Sequence, residues 1–103
     1  MKVISVNESN FEEEVLNSKT KVLVDFNAVW CGPCRMLKPI LEELNTKRND
    51  IKICSINVDE NQLLARKYRV MSIPCIVLIK NGEEIKRNVG LLSMEELEEF
   101  LNV

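Results

Sequence analysis

The chain has 103 residues and a net charge of −2, with 46% hydrophobic and 29% charged residues. This length fits one compact domain over residues 1–103, whose core needs no disulfide staples. The small net charge gives no reason to expect nucleic acid or an anionic membrane as a partner. No apolar run reaches the roughly 18 residues of a membrane span, and the N-terminus lacks the apolar region of a signal peptide. We therefore expect a cytoplasmic protein whose cysteines are mostly reduced.

The apolar pattern alternates between strand-like and helix-like segments along the whole chain. It predicts strands over residues 2–6, 21–26, 51–58, 75–79 and 84–89, and helices over 9–17, from the cysteine pair to 48, 61–68 and 93–101. Ser-x-x-Glu sequences at Ser9 and Ser93 predict capping boxes for the first and last helices. Asn81-Gly82 predicts a tight hairpin turn. This order predicts an α/β fold, in which four helices flank a mixed five-stranded sheet.

The cysteine pair of Cys31-Gly32-Pro33-Cys34 lies between an apolar strand and the start of a helix. Residues three apart in a first helical turn are close enough for a disulfide to form and break with little backbone movement. Unpaired N–H groups and the helix dipole favour a thiolate at Cys31. We predict that Cys31 attacks a substrate disulfide and that Cys34, further in and more buried, resolves the mixed disulfide. Pro33 suits a first turn and, with Gly32, is expected to tune the disulfide's stability.

Two other interpretations of the pair stay open at this point. One is half of a structural zinc site. The chain has no histidine, and Cys54 and Cys75 stand alone and 21 residues apart, unlike the usual spacing of zinc ligands. The other is a pair of inert core cysteines, for which a Gly-Pro turn is an unusual location.

The segment Trp30-Cys31-Gly32-Pro33-Cys34 is the active-site motif of the thioredoxins, and the sequence resembles a bacterial-type thioredoxin over essentially its whole length. Further matching segments are residues 22–26, 39, 57–61, 73–74, 80–83 and 89–90. The resemblance implies a cytoplasmic protein-disulfide reductase with the strand order 1-3-2-4-5. It implies disulfide-containing substrate proteins and recharging by an NADPH-dependent flavoprotein thioredoxin reductase. For the chain itself we expect a monomer with no cofactor and no metal.

Asp25 is the one ionisable residue of the apolar run 22–26, which leads toward the cysteines. Burial would raise its pKa toward neutrality, which suits a general base that takes the Cys34 proton through water. A carboxylate bonded to nearby amides is the other interpretation of this residue. The resemblance favours the proton-transfer role.

The resemblance also implies where a substrate docks. It implies that Pro74 is cis and that Ile73 pairs its backbone with an extended substrate chain, which is a form of strand addition. Trp30 is expected to shield the disulfide and to present an apolar contact, although a tryptophan can also simply belong to a packed surface. The rest of a flat apolar docking patch is expected to come from Val29, Gly32, Ile73 and Gly90.

Two positions near Asp25 and one after Pro74 differ from the usual thioredoxin residues, and a fourth cysteine lies in a predicted strand. Asn27 stands where thioredoxins usually carry an aromatic residue, so its packing must differ and local stability is expected to be lower. Ser55 replaces a lysine that commonly neighbours the buried aspartate, and losing that cation should raise the pKa of Asp25 further. Cys75 stands at a usual threonine position. It is either a third redox thiol or a small core residue, and we favour the core for both Cys75 and Cys54.

Three rival functions remain at the level of the sequence. An oxidase or isomerase of the same fold would normally work in an oxidising compartment and carry other residues between its cysteines. A thioredoxin-fold binding subunit would not need the cysteines at all. A metal or iron–sulfur protein would bind its group through Cys31, Cys34 and Cys75.

Overall fold

Residues 2–102, the part of the chain described by the computed structural model, form one sheet with helices on both faces. The strands are β1 (Ile4–Ser5), β2 (Lys21–Asn27), β3 (Ile51–Asn57), β4 (Cys75–Lys80) and β5 (Glu83–Val89). The helices are α1 (Glu12–Leu16), α2 (Gly32–Lys47), α3 (Gln62–Lys67) and α4 (Met94–Phe100). The strand order β1-β3-β2-β4-β5 confirms the order that the resemblance implies.

The central strand β2 holds the sheet together. It pairs in parallel with β3 and antiparallel with β4, while β1 and β5 form the two edges. Residues 22–26 of β2 are all buried, as expected of an apolar strand that is covered on both faces. The edge strand β1 is shorter than predicted, because only Ile4 and Ser5 pair with β3.

The core divides into two clusters, one on each face of the sheet. The first contains Val22, Val24 and Phe26 of β2 and packs against α1 and α3. The second contains Leu23 and packs against α2 and α4. Successive strand residues point to opposite faces, so Asp25 shares the α2 face with Leu23. None of the helices within residues 2–102 combines the length and the apolar character that a membrane crossing requires.

The start of α1 differs from the prediction, because Ser9 does not cap this helix. The side-chain oxygen of Asn7 accepts the N–H groups of Ser9 at 2.8 Å and of Asn10 at 3.1 Å. It also accepts the Ser9 hydroxyl at 2.6 Å. The capping box predicted at Ser9 is therefore wrong, because the helix begins later, with Phe11 at its N-cap position, and the Asn7 carboxamide accepts the N–H groups of the preceding turn. The short helix that follows has π-helical hydrogen bonds.

Two other local predictions are confirmed. Glu96 donates its N–H to Ser93 Oγ at 3.1 Å, and Ser93 donates its N–H to Glu96 Oε1 at 2.9 Å, which completes a capping box at α4. Asn81 and Gly82 both have positive φ angles, 51° and 79°. This pair of angles is the requirement of the tight turn that joins two strands in a hairpin.

The two Ser-x-x-Glu sequences provide a matched test of capping. Replacing Ser93 with Ala is expected to lower the free energy of unfolding by about 1 kcal/mol, because the Glu96 N–H loses its acceptor. Ser9→Ala is the control and is expected to change it by less than about 0.5 kcal/mol. Chemical denaturation of the oxidised protein measures both values. Equal losses in the two variants would contradict this assignment of the caps.

Candidate active site

Cys31 occupies the N-cap position of α2. Its Sγ accepts a hydrogen bond from the Cys34 N–H at 3.2 Å. Cys31 and Cys34 are joined by a disulfide, with their Cα atoms 5.2 Å apart. Gly32 and Pro33 complete the first turn, where the missing N–H of Pro33 would have no partner within the helix. An N–H group at the helix start therefore reaches the Cys31 sulfur, and such an environment stabilises a thiolate.

The two cysteines are almost equally buried, with exposed fractions of 5% for Cys31 and 4% for Cys34. Cys34 is the more buried of the two, as expected, although the difference is small. Both sulfurs belong to a small cluster with Ala28, and Val58 and Ile73 pack against it. Val58 follows β3 and Ile73 precedes β4, so residues distant in the sequence contribute to the burial of the cysteine pair.

A shallow recess adjoins Cys31, and we call it the Cys31 recess. It is lined by Trp30, Cys31, Gly32, Pro33, Val58, Val70, Met71, Ser72 and Ile73. Two of its apolar side chains are strongly exposed, Met71 at 93% and Trp30 at 64%. The indole N–H of Trp30 donates to Asp59 Oδ2 at 2.8 Å, which fixes the ring beside the disulfide. The recess thus presents apolar surface next to a reactive sulfur.

The loop before β4 faces the disulfide from the other side of the Cys31 recess. The Ile73 carbonyl oxygen lies 3.9 Å from Cys31 Sγ, and the Ile73–Pro74 peptide bond is cis, the configuration that the resemblance implies. Gly90 donates its N–H to the Pro74 carbonyl at 2.8 Å and has a φ of 106°, a conformation that favours glycine. Ile73, Pro74 and Gly90 are therefore brought together, with Ile73 next to Cys31.

A second opening lies on the Cys34 side, and we call it the Asp25 cleft. It is lined by Lys2, Val3, Ser5, Asp25, Asn27, Ala28, Val29, Cys34, Arg35, Lys38, Leu41, Glu42, Asn45, Thr46 and Ser55. Asp25 is 4% exposed. Burial raises the pKa of Asp25 from 3.8 to about 7, and a hydrogen bond from Asn27 partly opposes this increase. The cleft therefore places Cys34 and a carboxyl group that can exchange a proton near neutral pH along the same opening.

Asn27 and Ser55, two residues that depart from the family pattern, lie next to Asp25 and to each other. Asn27 Nδ2 lies 3.2 Å from Asp25 Oδ2, 3.0 Å from the Asp25 carbonyl oxygen and 2.8 Å from Ser55 Oγ. The Asn27 side chain is thus part of a polar cluster, and the expectation that its packing differs from that of the family stays a prediction. The lower local stability, and the further rise in the pKa of Asp25 from the missing lysine, stay predictions.

The remaining cysteines, Cys54 and Cys75, are free thiols buried in the first core cluster, on the face of the sheet that α1 and α3 cover. Burial raises the pKa of Cys54 to about 12 and also raises the pKa of Cys75. This placement agrees with the core interpretation of both residues. Within residues 2–102, Cys31, Cys34 and Cys75 are not part of any group of three or more side chains that could hold a metal ion.

Sequence reasoning missed three features of the site. The contact between Asn27 and Asp25 had an available signal, because residues two apart in a strand share a face. The anchoring of Trp30 by Asp59 joins residues 29 positions apart and has no local signal. The exposure of Met71 beside Trp30 depends on how its loop packs, which no periodicity encodes.

The buried carboxyl group predicts a pH-dependent stability. The folded protein binds the Asp25 proton more tightly than the unfolded chain, because its pKa is raised on folding. The free energy of unfolding should therefore fall as pH rises from about 4 through about 7. Asp25→Asn removes this titration. The free energy of unfolding of this variant, measured relative to that of the wild type, should therefore increase by about 3 kcal/mol between about pH 5 and about pH 8.5.

Urea denaturation of both oxidised proteins across this pH range measures the difference. Glu83→Gln, which removes an exposed carboxyl group in β5, is the control and should follow the wild-type curve. A constant difference between Asp25→Asn and the wild type would mean that Asp25 does not titrate with a raised pKa.

Comparison with known proteins identifies the family. The family model for thioredoxin matches residues 2–103. The chain is 46% identical to a thioredoxin of Rickettsia bellii over 99 residues, which are 95% of this chain and 94% of the relative. It is 45% identical to a thioredoxin of Bacillus subtilis over 103 residues, which are 99% of this chain and 97% of the relative. The chain therefore belongs to the thioredoxin family of thiol–disulfide oxidoreductases.

Proposed function

We propose that the chain is a cytoplasmic electron carrier that reduces disulfide bonds in other proteins and so contributes to cell redox homeostasis. The observation that carries the proposal is the position of the Cys31–Cys34 disulfide between two different openings. Cys31 adjoins an apolar surface on which a substrate can dock, and Cys34 adjoins a buried carboxyl group. In this proposal residues 1–103 act as a single domain and as a monomer.

The first step is nucleophilic attack by the Cys31 thiolate of the reduced protein. A bond forms between Cys31 Sγ and one substrate sulfur, and the substrate's own S–S bond breaks. The leaving sulfur departs as a thiolate and takes a proton from water. The N–H groups at the start of α2 favour the attacking thiolate, because they place positive partial charge at the N-cap.

The second step resolves this mixed disulfide. Asp25, as a carboxylate, takes the Cys34 proton through water in the Asp25 cleft, and Cys34 Sγ then attacks Cys31 Sγ. The Cys31–Cys34 bond forms, the bond to the substrate breaks, and the substrate leaves as a dithiol. Two electrons have passed from the chain to the substrate. A carboxyl group with a pKa of about 7 suits this role, since an appreciable fraction is ionised at neutral pH.

The Cys31 recess is the proposed docking surface for the substrate. Trp30 supplies apolar contact area, and the Ile73 carbonyl beside Cys31 supplies a backbone acceptor for an extended substrate segment. Gly90, next to Pro74, completes the proposed surface. Gly32 and Pro33 tune the stability of the disulfide by restricting the turn between the two cysteines. Backbone pairing and apolar contact place few demands on the sequence of the substrate.

Family membership implies that a thioredoxin reductase returns the disulfide to the dithiol. We propose that this partner is an NADPH-dependent flavoprotein. NADPH would supply a hydride, hence two electrons, and with one proton from solvent the Cys31–Cys34 disulfide would become two thiols. The chain then needs no resident cofactor of its own, because its cysteine pair carries the electrons.

The reduction of a model protein disulfide in the presence of excess dithiol tests the proposal. Wild-type protein should accelerate the reaction, and Cys31→Ser should lower the rate to that of the dithiol alone, because the nucleophile is lost. In a separate reaction without free dithiol, prereduced Cys34→Ser should form a covalent complex with the substrate that persists, because no thiol is present to resolve it, and non-reducing electrophoresis detects this complex. Cys75→Ala should retain the activity of the wild type, and Cys54→Ala is its matched control on β3.

Two outcomes would reject the proposal. If the wild type gives no acceleration, or if Cys31→Ser retains it, the cysteine pair is not the electron carrier. Function as a binding subunit would then be the better explanation. If Cys75→Ala loses activity while Cys54→Ala keeps it, a third thiol takes part in the reaction and the core assignment of Cys75 fails.

A further inference from the structure

The side-chain amide of Asn27 donates a hydrogen bond to the Asp25 carboxyl group. Among the hydrogen bonds described for residues 2–102, no other amide nitrogen contacts this side chain. Asn27 follows Asp25 by two residues in β2 and therefore projects from the same face. Ser55 is the register partner of Asp25 on β3. The three side chains form a polar cluster at the ends of the two central strands, and all three line the Asp25 cleft with Cys34.

The orientation of the Asn27 amide follows from its acceptors. Its Nδ2 lies 3.0 Å from the backbone carbonyl oxygen of Asp25, which can accept a hydrogen bond but cannot donate one. The nitrogen, not the oxygen, of the carboxamide must therefore face Asp25. The same nitrogen donates to Ser55 Oγ at 2.8 Å, so Ser55 supports the amide from the neighbouring strand.

This arrangement makes the two oxygens of the Asp25 carboxyl group unequal. Oδ2 receives the Asn27 amide at 3.2 Å. Oδ1 is buried and has no hydrogen-bond partner among residues 2–102. A hydrogen bond to one carboxyl oxygen restricts rotation of the group and leaves the other oxygen as its available proton acceptor. An N–H donor also favours the charged carboxylate over the neutral acid.

The remaining groups around Asp25 do not take over this function. Lys2, Arg35, Lys38 and Glu42 line the Asp25 cleft, and no ion pair within residues 2–102 joins a cation to Asp25. The guanidinium of Arg35 donates to the Val29 carbonyl at 2.9 Å. The thiol of Cys75 on β4 is the remaining titratable neighbour, and it carries no positive charge. Among the described contacts, Asn27 is thus the donor that favours ionisation of Asp25.

We propose that Asn27, supported by Ser55, is a positioning residue of the thiol–disulfide reaction, which holds Asp25 with its free oxygen available for the Cys34 proton and stabilises the carboxylate that accepts it. The inference rests on the proposed function of Asp25 as the general base. A purely structural role is the alternative, in which Asn27 only ties β2 to β3 through Ser55. The two roles differ in what they do to the titration of Asp25.

The test is the titration of the Asp25 carboxyl carbon by NMR in the oxidised protein. Asn27→Leu keeps the side-chain volume but has no donor, and it should raise the midpoint by about one pH unit. Ser55→Ala leaves the amide in place and should raise the midpoint by less. Asn57→Leu is the matched control at the end of β3, because Asn57 bonds the N–H groups of Asp59 and Glu60 and does not contact Asp25. It should leave the midpoint unchanged.

The kinetic counterpart is the pH profile for resolution of a preformed mixed disulfide on Cys31. Its midpoint should move upward in Asn27→Leu by the same amount as the NMR midpoint. An unchanged NMR midpoint in Asn27→Leu, or an equal shift in Asn57→Leu, would overturn the proposal. A shifted NMR midpoint with an unmoved kinetic profile would also overturn it. The titration of the oxidised protein does not depend on reductase activity, so the NMR failures are distinct from a failure of the proposed function. The kinetic failure rejects Asp25 as the base for Cys34, whereas the loss of acceleration by the wild type is what rejects the electron carrier.

Discussion

The active site depends on the pairing of β2 with a strand on each side. Parallel pairing with β3 and antiparallel pairing with β4 satisfy the backbone along β2, and helices cover both of its faces. Because this strand is fixed, the loop that leaves it delivers Cys31 to the start of α2 in a defined position. The same strand carries Asp25 and Asn27 to the cleft beside Cys34. The proposed nucleophile and the buried carboxyl group are thus positioned by one strand of the fold.

The disulfide separates two chemical environments. Its Cys31 side faces exposed apolar side chains and a backbone carbonyl, which are suitable contacts for a polypeptide. Its Cys34 side faces a cleft with a buried carboxyl group and charged residues at its lining. In the proposed mechanism, a protein substrate docks on the first side and leaves the second side open to water. Proton exchange can therefore continue while the mixed disulfide exists.

The buried carboxyl group of Asp25 lowers the stability of the folded protein when it is ionised. A charged carboxylate in a buried position is unfavourable, and the raised pKa of Asp25 expresses that cost. Proteins commonly depart from the most stable choice at the residues that carry their chemistry. Here the Asn27 amide lessens the cost without a full positive charge.

Several features with local causes were predicted from the sequence, although the contact between Asn27 and Asp25 was missed, and features with distant causes were not predicted from the pattern. The Asn81-Gly82 turn and the Ser93 cap depend on neighbouring residues, so the residues themselves indicate them. Ser9 carries the same signal, but the helix begins later, at the N-cap Phe11, and Asn7 accepts the N–H groups of the turn before it. Strand order came from the resemblance, because periodicity does not encode which strands are neighbours. The burial of Cys31 depends on Ile73, which is 42 residues away, and was missed for the same reason.

The burial of the other two cysteines bears on how many electrons one molecule can carry. Cys54 and Cys75 lie buried in the first core cluster, apart from the small cluster that contains the disulfide. Their buried thiols resist ionisation, and a thiol must ionise before it can exchange with a disulfide. We therefore expect a folded molecule with four cysteines to have a redox capacity of one disulfide. It accepts electrons only in pairs at one place, without competing disulfide isomers that would slow each turnover.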